Sequence, residues 1–317
     1  MKWNQGLIKV FVLVSFWMTY TMTFAQDYER VDASILLYPE KFEAVEELSR
    51  FISRDFISEE DKVRAIYSWI ILNVAYDPDE YKKFDYKFKN FRERNSKEEK
   101  TRDAIIKRTL RKGIAVCEGY SMLFEKLCEL QGISNYLVRG DVKSNFDDIG
   151  RPFKQSHMWN AAVIDGQTYL FDPTWGAGKY NGEFIKDPSY FYYKTNPELF
   201  LKTHYPSMFE DAFVEKVVSR EVFSNMPLLI KDDLKMDQVE SPLQGVIQAD
   251  EYYDTIPFVI SNCDVENVSY LLRGKKIPVK NMEIKEGRLH FGVPLELGMK
   301  NLLIYFDDKP ALAFRVQ

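Results

Sequence analysis

Residues 156–164 and 167–172 form two apolar-rich runs joined by Asp165-Gly166. Asp-Gly between such runs marks a two-residue hairpin, because both central turn positions require positive φ. The turn sets a register in which Ile164 faces Gln167 and Trp159 faces Asp172, with Thr174 opposite His157 if the pairing extends that far. Side chains alternate along a strand, so His157, Trp159, Asp172 and Thr174 share one face. His157 and Asp172 become diagonal neighbours, with Cα atoms about 7–8 Å apart. An imidazole and a carboxylate bridge that span, and the carboxylate then fixes the ring tautomer and supports an imidazolium. A register slip of one residue would turn the two to opposite faces. Taken singly, His157 reads as a satisfied core histidine and Asp172 as a cap before Pro173. Their coincidence points to a working pair.

A second constraint precedes the hairpin. In GIAVCEGYSMLFEKLCELQGI, residues Tyr120, Leu123, Phe124, Leu127 and Leu130 follow helical spacing, and Gly132 is a C-terminal stop. RKGIAV reads as a short loop, so Cys117 falls at or near the first turn of a buried helix. Unpaired N–H groups and the positive end of the dipole favour a thiolate there and can bind a developing oxyanion. Gly119 is read as removing bulk where a substrate backbone approaches. Free cysteines are also common in cores, which is the reading for Cys128, in the middle of the same segment. Cys117 becomes a nucleophile only if an imidazole lies beside it.

VCEGYS, SHMWNAAVIDGQTYLFDPTWG and the earlier WIILNVAYD resemble, in order and spacing, the transglutaminase-like core superfamily, which is papain-like in fold and uses Cys-His-Asp. DPSYFYYKTNPELFLKTHYP resembles the continuation in kyphoscoliosis-peptidase-like members. The resemblance covers roughly residues 55–230. It implies an α+β, papain/transglutaminase-like catalytic core with Cys117 as nucleophile, His157 as base and Asp172 as orienting carboxylate. The family includes proteases, cross-linking acyltransferases, peptide N-glycanases and members with no known activity. The continuation favours a peptidase, with a cross-linking acyltransferase or an inactive scaffolding module as alternatives. Zinc-type CxxC pairs, which would favour the glycanase branch, are not in the sequence. No metal or organic cofactor is implied. A side chain upstream of the cysteine can complete the oxyanion hole in this family. Trp69 and Asn73 are candidates, and the role stays unassigned beyond the Cys117 N–H. His204, in THYP, matches a family motif and is read as structural, holding the domain junction.

The N-terminal MKWNQGLIKVFVLVSFWMTYTMTFAQ has early lysines, an apolar run too short to span a bilayer comfortably, and small residues near Ala25. It reads as a signal peptide, residues 1–25, with an uncleaved anchor as the alternative. The expected context is secreted or periplasmic, without stable membrane insertion after cleavage. A net charge of −5 argues against nucleic-acid binding. A protein or peptide substrate, including a cell-wall or surface protein, fits better. Oligomeric state is open. Three cysteines are an odd count for an oxidising compartment. Cys117 and Cys128 lie about 16 Å apart along one helix and cannot pair, while a Cys128–Cys263 bridge is unsupported.

The expected domains are 26–220, transglutaminase-like, and 225–317, a β-sandwich of immunoglobulin type. The second rests on strand-like IPFVISN, VSYLLRG, LHFGVPL and NLLIYF, separated by turns. Cys263 and His290, within it, are read as structural. Residues 40–54 and 59–73 read as helices, the second with Trp69 in its buried face. Residues 77–103 form a charged insertion, read as a solvated loop or frayed helix. Its interleaved Tyr81, Phe84, Tyr86, Phe88 and Phe91 offer a lid or substrate-binding arm as the alternative. A short helix is expected at 102–111.

Overall fold

A computed structural model describes residues 28–83, 91–230 and 238–317. The expected signal segment lies outside these residues, as do Phe84, Tyr86 and Phe88. The chain begins with helices α1 (Tyr28–Ile35), α2 (Val45–Asp55) and α3 (Glu59–Asn73). Ser58 Oγ caps α3 by accepting from the Asp61 N–H at 3.1 Å, and Glu59, Glu60 and Asp61 favour its positive end. Strand β1 (Ala75–Tyr76) pairs in parallel with β2 (Ile114–Ala115), and helix α4 (Phe91–Lys112) lies between them in sequence. The helix expected at 102–111 is therefore the last part of a longer one. RKGIAV, expected as a loop, contains a short strand.

Helix α5 (Cys117–Leu130) follows, and Gly132 ends it at a φ of +75°. Its core is an antiparallel sheet in the order β8-β5-β4-β3-β9, comprising β3 (Asn135–Val142), β4 (His157–Ile164), β5 (Gln167–Phe171), β8 (Tyr193–Thr195) and β9 (His204–Pro206). Helix α6 (Pro173–Ala177) and a hairpin, β6 (Gly178–Tyr180) with β7 (Phe184–Lys186), separate β5 from β8. Ser121 Oγ donates to the Met158 carbonyl at 3.0 Å, and Asn160 Nδ2 donates to the Ser121 carbonyl at 3.0 Å, tying α5 to β4. Trp69, Tyr120, Leu123, Phe124, Leu127 and Cys128 are fully buried in one cluster with Phe171. On the other side of the sheet, Val138, Trp159, Ala161, Leu170, Tyr192 and Phe200 form a second cluster.

Two short helices, α7 (Pro197–Phe200) and α8 (Arg220–Asn225), precede the C-terminal strands. One sheet runs β10 (Leu228–Leu229), β19 (Lys309–Val316), β18 (Asn301–Phe306), β14 (Val268–Leu272), β15 (Lys275–Pro278), with β12 (Val246–Ile247) also against β19. The other runs β11 (Gln238–Ser241), β13 (Thr255–Ser261), β17 (Arg288–Pro294), β16 (Met282–Lys285). The two sheets share one apolar core that includes Phe258, Phe291 and Phe314. Cys263 belongs to this core and Cys128 to the first, and none of the three cysteines, all among the described residues, is in a disulfide. Lys143 reaches from the first region to donate to the carbonyls of Phe223 and Met226 at 2.8 and 2.9 Å. Among the described residues, no helix is long and apolar enough to cross a membrane.

Candidate active site

The site begins at the hairpin. Asp165 and Gly166 take φ values of 49° and 80°, the positive pair that a tight right-twisted turn requires. Pairing runs from Ile164↔Gln167 to Asn160↔Phe171 in the register set by the turn. It stops one residue short of the expected Trp159–Asp172 pair, because Asp172 leaves the strand to cap α6. Thr174 accordingly lies in α6 rather than opposite His157. The cap and the charge pair, framed in the sequence as alternatives for Asp172, are both present. Its Oδ1 accepts from the N–H groups of Thr174 and Trp175 at 2.8 and 3.1 Å. Its Oδ2 accepts from His157 Nε2 at 2.7 Å.

The Cys117 sulfur acts on the same imidazole, so Cys117, His157 and Asp172 form one electrostatic cluster. Burial alone would lower the His157 pKa, but the Asp172 carboxylate and the Cys117 sulfur outweigh it and hold the value up at about 10. Burial likewise opposes the Asp172 charge, yet His157 and His204 keep this carboxyl well below the usual range. The imidazolium and carboxylate are therefore the resident forms at neutral pH. Cys117 is the first residue of α5, whose N-terminus has no side-chain cap. Within its first turn the Gly119 N–H already donates to the Val116 carbonyl at 2.9 Å. Cys128 lies fully inside the core, and burial alone pushes its thiol well above the ordinary value.

Sequence reasoning missed His204 as part of this site. Its Nε2 lies 3.0 Å from Asp172 Oδ2, and its Nδ1 lies 2.8 Å from Thr203 Oγ1. A carboxylate only accepts, so Nε2 carries the proton and Nδ1 accepts from the Thr203 hydroxyl. The ring stacks on Phe200 at 4.1 Å and meets Trp175 at 4.6 Å. Burial, against the pull of Asp172, brings its pKa down to about 4, so it is neutral beside a charged His157. Gly140 lets β9 bring His204 in, since a Cβ there would meet the Tyr205 carbonyl at 2.2 Å. The THYP motif was the available signal, but no local pattern says which strand β9 joins. The ligand atoms of His157, Asp172 and His204 lie within 4.8 Å of one another, a spacing a divalent metal can use. Chelation there would remove the two N–H bonds that hold Asp172 Oδ2.

The opposite side of Cys117 departs from expectation. Trp69 Nε1 donates to the Pro39 carbonyl at 2.9 Å and Asn73 Nδ2 to the Trp69 carbonyl at 2.8 Å, so both upstream candidates are committed elsewhere. Gly119 does not open space for substrate. A Cβ there would meet Thr109 Oγ1 at 2.5 Å and Ala115 Cβ at 2.6 Å, so it serves close packing against α4 and β2. The hydroxyl of Tyr81, in the 3₁₀ turn Pro78–Lys83, lies 3.3 Å from Cys117 Sγ. The first part of the charged insertion thus brings Tyr81 against the thiol, while Asp79, Lys82 and Lys83 stay exposed. Tyr76 and Tyr180 pair edge-to-face at 5.7 Å nearby.

A cysteine at a helix start, packed on an antiparallel sheet that carries a buried His-Asp pair, fits the arrangement expected of a transglutaminase-like core. The Transglutaminase-like superfamily model matches residues 46–173, and this segment is a transglutaminase-like domain. The chain is 31% identical over 188 residues to kyphoscoliosis peptidase of Mus musculus, covering 56% of this chain and 25% of that protein. It is 30% identical over 194 residues to the Homo sapiens kyphoscoliosis peptidase, covering 57% and 26%. The chain therefore spans about a quarter of the length of these relatives. A crystal structure of a TGase shares 14% identity, covering 59% of this chain and 42% of that one, with a TM-score of 0.29.

Proposed function

We propose that this chain is an exported cysteine enzyme acting on amide or peptide bonds, most simply a peptidase. The observation that carries the reading is the 2.7 Å bond between His157 Nε2 and Asp172 Oδ2, made by the ring whose charge the Cys117 sulfur also supports. The Cys117 thiolate attacks the carbonyl carbon and the Cys117 N–H receives the oxyanion. His157 gives its proton to the departing amine. It then takes one from water as the thioester is hydrolysed. Asp172 stays ionised and orients the ring. The name of the two kyphoscoliosis peptidases supports hydrolysis over transfer to an amine. The composition of residues 1–25 supports export. The paired C-terminal sheets are read as an immunoglobulin-type sandwich that positions a protein substrate. The seven-residue β13–β17 pairing and the stacked Phe258–Phe291 rings, 4.8 Å apart, support a rigid module.

The test is the alkylation rate of each cysteine from pH 5 to 9, read by mass spectrometry, with and without His157→Ala. Cys117 should react far faster than Cys128 at acidic pH, and His157→Ala should abolish the difference. Equal, slow rates for the two thiols in the parent protein would overturn the reading.

A further inference from the structure

The proposed reaction has a gap. The oxyanion has one assigned donor, the Cys117 N–H, and both upstream side chains that might have supplied a second are bonded elsewhere. Among the described residues, Tyr81 makes a 3.3 Å side-chain hydrogen bond with Cys117 Sγ, and the His157 imidazole interacts with the same sulfur. Resting on the thiol-acyl reading above, we propose that Tyr81 is the side-chain donor of the oxyanion hole, its O–H shifting from Cys117 Sγ to the substrate carbonyl oxygen as the tetrahedral adduct forms.

The geometry suits the step. In the adduct the former carbonyl oxygen is two bonds from Sγ, so a hydroxyl already 3.3 Å from Sγ reaches it with a small swing. The sulfur lone pair forms the S–C bond, and the carbonyl π pair moves onto oxygen. Tyr81 donates a hydrogen bond to that oxygen and keeps its proton. Collapse re-forms the carbonyl and expels the amine, which leaves with the proton from His157. Burial, and then the Cys117 sulfur, hold the Tyr81 phenol well above its ordinary pKa, so it remains a donor throughout.

An oxyanion donor works by being in place before the charge appears, and Tyr81 is anchored through the residues that precede it. The Asp77 N–H donates to the Ala115 carbonyl at 2.9 Å, joining the turn to the strand two residues before the nucleophile. Asp77 Oδ1 caps the turn through the Asp79 N–H at 2.9 Å. Neighbouring Glu80 is buried and held by Arg108 of α4, with Nη2 to Oε1 at 2.9 Å. A side chain that merely covered the thiol would need none of this fixing.

Two reagents separate the possibilities. p-Nitrophenyl acetate acylates a thiol through a tetrahedral oxyanion, whereas iodoacetamide alkylates it by displacement with no oxyanion. Both rates at Cys117 are measured by mass spectrometry in the full chain, for the parent, Tyr81→Phe and Tyr81→Ala. Tyr81→Phe should slow acylation roughly 10- to 100-fold while alkylation changes less than about two-fold. Acylation by Tyr81→Phe at the parent rate overturns the proposal. So does a parallel fall in both reactions, which marks a structural role. A rise in both for Tyr81→Ala, with Tyr81→Phe unchanged, shows a cover over the thiol and overturns it too. A parent Cys117 inert to both reagents would remove the thiol-acyl reading itself, and the donor role with it.

Discussion

Cys117 stands between two sides built by different rules. On the imidazole side, Asp172 and His204 have fully buried side chains, and every lone-pair direction used on Asp172 points at a donor. On the phenol side, Tyr81 and Tyr180 remain 43% and 47% exposed, and placement rests on a two-residue parallel pair and one ion pair. Buried polar groups must be satisfied, so the first side is held by the cost of breaking any one bond. The second side is fixed locally and stays open to solvent, which is where the proposed reaction needs access for a substrate. The sharpest way to break the contrast is Asp172→Asn. The amide cannot accept from two backbone N–H groups and two imidazoles at once, so one donor must face another. Acylation of Cys117 by an activated ester should fall on the order of 10³- to 10⁴-fold. Urea unfolding should show a loss of about 1–3 kcal/mol for the stranded donors. A variant retaining a tenth of the parent rate would show that the carboxylate does not organise the site.

The two imidazoles on this one carboxylate titrate in opposite senses. His157 has its pKa raised from 6.5 to about 10, so the native state binds the extra proton between those values. Its contribution is complete below pH 6.5 and is lost as pH rises towards 10. His204 has its pKa lowered from 6.5 to about 4, so the unfolded state binds the extra proton in that window. Stability is therefore lost as pH falls from 6.5 to 4, by about 3 kcal/mol if His204 acts alone. Stability should peak near pH 6.5. In urea unfolding across pH 4–10, His204→Gln should flatten the acid limb and His157→Gln the alkaline limb. An unchanged acid limb in His204→Gln would show that the ring is not the neutral donor assigned here. His204→Leu, which removes one of the two donors to Asp172 Oδ2 and leaves the Thr203 hydroxyl its 3.4 Å contact with the Phe200 carbonyl, should cost a further ~1–3 kcal/mol that the glutamine variant largely avoids.

The same contrast explains what the sequence revealed. The helix start at Cys117 and the Asp165-Gly166 turn are local signals, and they placed one end of α5 and the register of β4 with β5. His204 was hidden because it arrives on β9, paired to β3 some sixty residues earlier in the chain, and only Gly140 in β3 makes room for it. Gly119 was misread for a related cause. A glycine early in a helix looks the same whether it faces substrate or, as here, Thr109 and Ala115. Within the charged insertion, Glu80 departs from the solvated reading for the opposite reason. The composition of the segment fits its exposed Asp79, Lys82 and Lys83, yet Glu80 is buried against Arg108, and that partner lies twenty-eight residues on. Tertiary pairing overrode composition in the insertion, just as it supplied the second imidazole.

The smallest expected effect sharpens the comparison from the phenol side. Glu80 has a side chain only 5% exposed, and Arg108, at 34%, holds it with two hydrogen bonds. Glu80→Gln keeps the size and one acceptor but removes the charge and the second acceptor for the guanidinium. The turn that carries Tyr81 should loosen without unfolding, since the Asp77–Ala115 and Ala75–Gly113 backbone bonds remain. Stability should change by about 1 kcal/mol, within the range for weakening a charged hydrogen bond that keeps a partner. Ester acylation of Cys117 should fall several-fold while iodoacetamide alkylation holds, a smaller copy of the Tyr81→Phe pattern. On the imidazole side no substitution should separate the two reactions in this way, because both depend on the same thiolate. If Glu80→Gln slowed both reactions equally, the phenol side would be tied to the thiolate as tightly as the imidazole side. The distinction between a sealed side that makes the nucleophile and an open side that receives the oxyanion would then fail.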